Sequence, residues 1–232
     1  MKKIVYLSIL TFAFSCGKLT PKGEITLKKI PISDFQEIDG SGKFRVFWIN
    51  APENKLEIET YPNVIDNLDI NVKNGKLNIK EKKETEGVDF YNITVYGKNN
   101  PKAISISDSV EFNVSGEIKT DELAFHLKNN AKFIGAVNTK KTTVEMQDLS
   151  LANFKGFSDD AEIKIKDTAN ILAPYWRIEN LEIDSKNGNY TELNVDQELK
   201  GKVTNTAKII YYGNPSKKIK VEEKATLENR DL

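Results

Sequence analysis

The chain has 232 residues, of which 39 % are hydrophobic and 29 % charged, with 34 basic and 34 acidic side chains and a formal net charge of zero. That length suits one large all-β domain or two small ones, and the balanced charge excludes nucleic acid as the main partner, because phosphate binding needs a basic excess or a basic face. Cys16 is the sole cysteine and His126 the sole histidine, so there is no intramolecular disulfide and none of the usual Cys/His zinc sites, and no cofactor is expected.

The N-terminus reads as a leader. Lys2 and Lys3 precede an apolar run from Ile4 to Phe14, too short to span a bilayer comfortably but right for the hydrophobic part of a signal peptide. Ala13, Ser15 and Cys16 resemble the lipobox of bacterial lipoproteins, which implies cleavage before Cys16 and acylation of its thiol. The plainer alternative is an ordinary signal peptide with an incidental cysteine. Residues 1–15 are thus assigned as signal peptide and 16–24 as a lipid-anchored tether. Removing residues 1–15 takes away two lysines and leaves 32 basic against 34 acidic groups, a charge of −2. The expected location is the bacterial cell envelope, with the membrane as partner through the lipid. Gly17-Lys18-Leu19 lacks acidic residues that steer such proteins outward, so the sequence does not assign a leaflet.

Residues 25–232 are read as a single β-solenoid domain, irregular over 25–100 and regular over 101–232. Alternating runs such as Lys43 to Trp48, Leu56-Glu57-Ile58 and Leu77-Asn78-Ile79 predict half-buried strands. Asn74-Gly75 between Asp69–Val72 and Leu77–Ile79 predicts a type I′ hairpin. The early part is either the same solenoid begun with longer loops or a small antiparallel cap, and one continuous core is preferred.

From Pro101 a repeat emerges. Small or apolar anchors stand at Val110, Ala131, Ser150, Ala169, Asn189, Ala207 and Ala225, spaced 21, 19, 19, 20, 18 and 18 residues apart. Four residues before them lie Ile106, Leu127, Met146, Ile165, Ser185, Val203 and Val221, and two after lie Phe112, Phe133, Ala152, Ile171, Thr191, Ile209 and Leu227. A unit of this length cannot bury its apolar face alone, so seven coils of about 19 residues are expected to stack as a parallel β-solenoid with a shared core. Two residues before the anchors, Asp108, Asn129, Asp148, Asp167, Asn187, Asn205 and Glu223 mark a repeated turn, since Asn and Asp tolerate the left-handed conformation. Five before, Glu145, Lys164, Asp184 and Lys202 alternate in sign, and opposite charges in neighbouring coils should attract.

Two segments resemble a known family. Phe35-Gln36-Glu37-Ile38 with Gly40-Ser41-Gly42-Lys43-Phe44-Arg45-Val46, and Ile209-Ile210-Tyr211-Tyr212-Gly213-Asn214-Pro215 as an I-x-Y-x-G-x-P segment, are similar to the putative auto-transporter adhesin head, or GIN-domain, family common in Bacteroidetes. The resemblance implies a right-handed β-helix-like fold and frequent lipoprotein or secreted signals, without a firm activity.

No catalytic motif stands out. His126 sits in an outward slot and lacks a nucleophile elbow to serve. Stacked Asp148 and Asp167 are weak candidates for a structural cation, or for the acid-base pair of a carbohydrate-active β-helix enzyme, against a plain turn ladder. Among aromatics that include Phe47, Phe90, Tyr91, Tyr96, Tyr190 and Tyr212, the pair Tyr175-Trp176 after Pro174 is the best candidate ligand contact. The function expected is a non-enzymatic envelope lipoprotein acting as a binding, adhesion or scaffolding module toward a glycan or envelope protein; the alternative is the carbohydrate-active enzyme.

Overall fold

A computed structural model describes residues 17–232; the leader and Cys16 lie outside the described residues. In chain order the elements are β1 (Thr26–Pro31), β2 (Glu37–Gly42), β3 (Arg45–Asn50), β4 (Lys55–Thr60), α1 (Pro62–Asp66), β5 (Leu68–Lys73), β6 (Lys76–Glu81), β7 (Asn92–Gly97) and β8 (Ala103–Asp108). The long strands β9 (Glu111–Leu127), β10 (Lys132–Met146), β11 (Leu151–Ile165), β12 (Asn170–Asn187) and β13 (Tyr190–Asn205) follow, then β14 (Lys208–Tyr212), β15 (Ser216–Val221) and β16 (Thr226–Asn229). From β8 onward each strand pairs in parallel with its counterpart in the next coil, giving a solenoid of about seven turns with coils about 19 residues apart.

The expected columns are real neighbours. Ile106, Leu127, Met146, Ile165, Ser185, Val203 and Val221 follow one another in register across the ladder. All but the last are buried, and Val221, in the final coil, is 43 % exposed. Phe112, Phe133, Ala152, Ile171, Thr191, Ile209 and Leu227 form a second such column. Phe125, Phe133, Phe154 and Trp176 stack through the middle of the core, with ring centroids 4.5 to 5.0 Å apart. At one corner the polar groups that enter the core satisfy each other, whereas Thr191 Oγ1 in the second column has no partner. Ser185 Oγ donates to Asn189 Oδ1 at 2.8 Å, and Asn189 Nδ2 donates to the Lys186 carbonyl at 2.7 Å.

The corner that feeds each anchor is one repeated turn. All seven residues of this column, six of them Asn or Asp and the last Glu223, have positive φ, between 57° and 71°. The left-handed conformation suits Asn and Asp because their short polar side chains bond locally. Backbone bonds run from coil to coil through these corners, for example Leu149 N to Asn129 O at 2.9 Å and Thr168 N to Asp148 O at 3.0 Å.

The N-terminal part is both a continuation of the stack and a cap. β2 lies between β6 and β8, and β3 between β7 and β9, all in parallel, so the first coil laid down is enclosed between two later ones. Outside it the pairing turns antiparallel: β5 on β6, β4 on β7 and β1 on β4. The β5–β6 hairpin has its expected I′ turn, with Asn74 at φ 53° and Gly75 at φ 74°. One hydrophobic cluster runs from Phe35 to Tyr211. Residues 17–24, expected as a tether, lie against this cap. Leu19 N donates to Glu84 O at 2.9 Å, and Glu86 N to Leu19 O at 3.0 Å. Lys22 N donates to Asn63 Oδ1, and Asn63 Nδ2 to Thr20 O.

Candidate functional site

The turn ladder places the candidate carboxylates. Asp148 Oδ2 accepts the backbone N–H of Asn129 at 3.0 Å and the Gln147 amide at 3.2 Å. Asp167 accepts the Asn187 amide on Oδ1 at 3.0 Å and the Asp148 N–H on Oδ2 at 3.4 Å. These donors, the Asn129 N–H foremost, hold the Asp148 carboxyl below the usual carboxylate range. A carboxyl so held is ionised at neutral pH and is the wrong partner for protonating a leaving group. The ladder oxygens face N–H groups and do not converge on a common point. Among the described residues no cluster of three or more His, Cys, Asp or Glu side chains is placed to hold a metal ion.

The side of the coil carrying β8, β15 and the second halves of β9 to β13 is a charged sheet face. None of the pairs expected down the column from Glu145 to Lys202 closes to an ion-pair distance, and Glu145 Oε2 lies instead 3.2 Å from His126 Nδ1 in the preceding coil. Lys164 turns instead to Glu162 on its own strand at 3.2 Å, and Lys202 to Glu222 at 2.9 Å. Long lysine stems reach diagonal partners as easily as the one directly opposite, so the slot alone does not choose the pair. Glu162 first, then the fields of Glu145 and Asp184, raise the Lys164 ammonium. A shallow open groove of about 290 Å³ crosses this face beside His126, Lys128, Lys166 and Lys186.

Tyr175 and Trp176 part company. β12 carries extra residues here, and its register with β11 shifts between Ala152 and Gly156, and with β13 between Ala173 and Arg177. Such a bulge re-aims side chains. Tyr175 is thrown outward, 66 % exposed, on a corner where Pro174 O accepts the Asn194 amide at 3.4 Å. Trp176 turns inward and is fully buried, 4.7 Å from the Phe154 ring, with Nε1 donating to Ser158 Oγ at 3.0 Å. It is therefore a core residue and not a ligand contact. Ser158 completes a buried hydroxyl knot with Thr139 and Thr142 at 2.7 to 3.0 Å, which sequence reading did not single out. Tyr91, expected among exposed aromatics, is also buried, and burial pushes its hydroxyl well above the usual range.

The neighbouring face, built from β3, β14, β16 and the first parts of β9 to β13, is less charged. Down one outward column Phe47, Asn113, Ile134 and Asn153 alternate between apolar and amide groups. Ile134 is 40 % exposed there, and near the end Tyr212 donates to Glu192 beside Tyr190. Amides beside rings and aliphatic groups suit a contact surface that both stacks and hydrogen-bonds.

The model of the putative auto-transporter adhesin, head GIN domain, matches residues 34–215. The chain belongs to this family. No curated protein matches it. A putative adhesin from Bacteroides fragilis NCTC 9343 superposes with a TM-score of 0.86 at 18 % identity, over 91 % of this chain and 100 % of that one. A putative adhesin from Parabacteroides merdae ATCC 43184 gives 0.71 at 19 % over 92 % and 99 %, and a structure described as a putative lipid binding protein from Parabacteroides distasonis ATCC 8503 gives 0.70 at 16 % over 92 % and 100 %. At such identities the likeness shows the fold.

The GIN-domain signatures serve that fold here. Gly42 has φ 149°, and a Cβ there would stand 2.7 Å from Glu81 and 2.8 Å from Phe44, so only glycine lets both side chains pass. Ser41 donates to Asp108 at the first corner. Glu81 accepts from Thr85 Oγ1 at 3.0 Å, and burial pushes its carboxyl up. In the closing segment Ile209, Tyr211 and Pro215 are buried. Gly213 has φ 92°, and a Cβ there would stand 2.2 Å from the Val195 carbonyl of the coil below. Family members and structural neighbours are named as adhesins or binding proteins and not as enzymes.

Proposed function

We propose that this GIN-domain protein is an envelope lipoprotein, acylated at Cys16, that presents a rigid solenoid for binding. The observation that carries the binding half is the pairing of a continuously hydrogen-bonded parallel stack with an exposed Tyr175 corner beside an amide-and-apolar face. Rigid elements keep contact groups in place without an ordering cost at binding. The family's adhesin description supports the role, and the leader pattern ending at the only cysteine supports the anchor. The partner expected is a glycan or an envelope protein.

Purified protein applied to arrays of bacterial envelope glycans and to separated envelope proteins tests the binding role. Tyr175→Ser should lower the affinity of any ligand found by about tenfold, the order expected for an exposed aromatic contact of 1–2 kcal/mol, with an unchanged unfolding midpoint. Failure of every ligand class to bind, or full binding by the variant, contradicts this reading. The anchor is tested separately by palmitate incorporation, which should vanish in Cys16→Ser.

A further inference from the structure

We infer that the capped N-terminal end of the solenoid rests directly on the lipid surface through residues 17–29, so that the stack stands on the membrane without a flexible stalk. The inference depends on acylation at Cys16. Its own support comes from where the chain leaves that residue.

Only Gly17 and Lys18 separate Cys16 from Leu19. Leu19 is pinned between Glu84 and Glu86 by backbone bonds of 2.9 and 3.0 Å and packs against the core. Three residues span at most about 11 Å when fully extended. A lipid at Cys16 thus holds the 84–86 segment within about 11 Å of the headgroups, and the docked Thr20 and Lys22 leave no slack further on. Had residues 16–24 been a free coil, the body would have wandered roughly 16 Å from the anchor.

The surface brought down by this geometry is the one suited to it. Seven large hydrophobic residues are exposed among the described residues, and two of them are Ile25 at 43 %, just ahead of the outer edge strand β1, and Leu27 at 54 %, on it. β1 is the outermost strand of its sheet at this end. Charges of both signs interleave nearby: Lys18 and Lys43 reach Glu84 at 3.4 and 2.6 Å, Lys18 lies 3.8 Å from Glu86, and Lys29 and Lys55 reach Glu57 at 3.3 and 3.2 Å, while Lys22, Lys28, Lys82, Lys83, Glu24 and Glu59 are exposed. Ile25 and Leu27 supply the apolar part of the contact, and the lysines around them suit lipid headgroups. On the charged side the order from β6 through β2 and β8 to β15 makes eight coil steps, which hold the far end about 38 Å from the cap at roughly 4.8 Å per step.

The test uses full-length protein acylated in cells and reconstituted into phosphatidylcholine vesicles carrying an acceptor-labelled lipid. Acylation consumes the only native thiol, so Leu27→Cys and Lys224→Cys each give one donor site. Energy transfer to the membrane should be several-fold stronger from position 27 than from position 224. Inserting twelve Gly/Ser residues between Gly17 and Lys18 should remove most of that contrast. Equal transfer from both positions in protein whose mass shows the acyl chains overturns the standing orientation and leaves the anchor intact. A mass without acyl chains on Cys16 overturns the anchor itself, and this inference with it.

Discussion

At the N-terminal end of the stack the outermost coil is covered by β1, β4, β5 and α1, with antiparallel pairing that a parallel solenoid does not otherwise use. At the C-terminal end β15 and β16 each pair on one side only, and Val221, Ile219 and Leu227 of the last coil are partly or largely uncovered. An open strand edge over an apolar core invites another chain. The sequence answers with a charge in the wrong place. Lys217 follows Thr142, Ala161, Leu181 and Leu199 in an otherwise buried column, and its Nζ lies 6.0 Å from the Tyr211 ring. One end of the solenoid is sealed by structure and the other guarded by chemistry, which also fits a capped end that meets lipid and a far end that stays free.

The widest gap between the regions should appear in packing. Phe125→Ala, in the middle of the ring stack, should cost about 3–5 kcal/mol, whereas Leu227→Ala in the last coil should cost under about 1 kcal/mol, both read from urea unfolding. Similar losses at both sites would deny the difference in coverage. Lys217→Leu should turn the open end into a self-association surface, raising the mass seen in light scattering above that of wild type; an unchanged mass would remove Lys217 from the account. The smallest effect concerns the cap. Burial raises the folded-state pKa of Glu81 above its unfolded value, so between the two the folded state holds more protons. Stability then falls as pH rises through that window. Wild type should lose ground to Glu81→Gln in urea midpoints from pH 4 toward pH 7, and parallel curves would contradict the burial effect.

Much of this was written in the linear sequence because stacking repeats it. Ile106, Leu127, Met146 and Ile165 recur at coil spacing since each packs on the last, and Asp148 or Asn187 recur because each corner needs a left-handed residue. Three things escaped for physical reasons. The insertion of β2 and β3 between strands made later, β6 and β7 on one side and β8 and β9 on the other, leaves no trace in spacing, because periodicity follows chain order and pairing does not. The inward turn of Trp176 depends on extra residues after Leu172, and a one-residue change flips which face a side chain meets. The docking of residues 17–24 rests on backbone bonds to Glu84 and Glu86 and on the Asn63 amide, none of which has a pattern of residue types. Tyr175 was legible as exposed because Pro174 marks an expanded turn, while the amide-and-apolar face beside it became visible only once coils were aligned.

Native-state hydrogen exchange across the whole chain tests the central claim of a covered end and an open one. Amides of residues 123–146 and 160–187 should exchange only near the global unfolding limit, those of β6 and β7 under the cap should follow closely, and those of β15 and β16 should exchange first by local fraying. Cap strands that exchange as early as β15 and β16, or a last coil as protected as the middle, would contradict it.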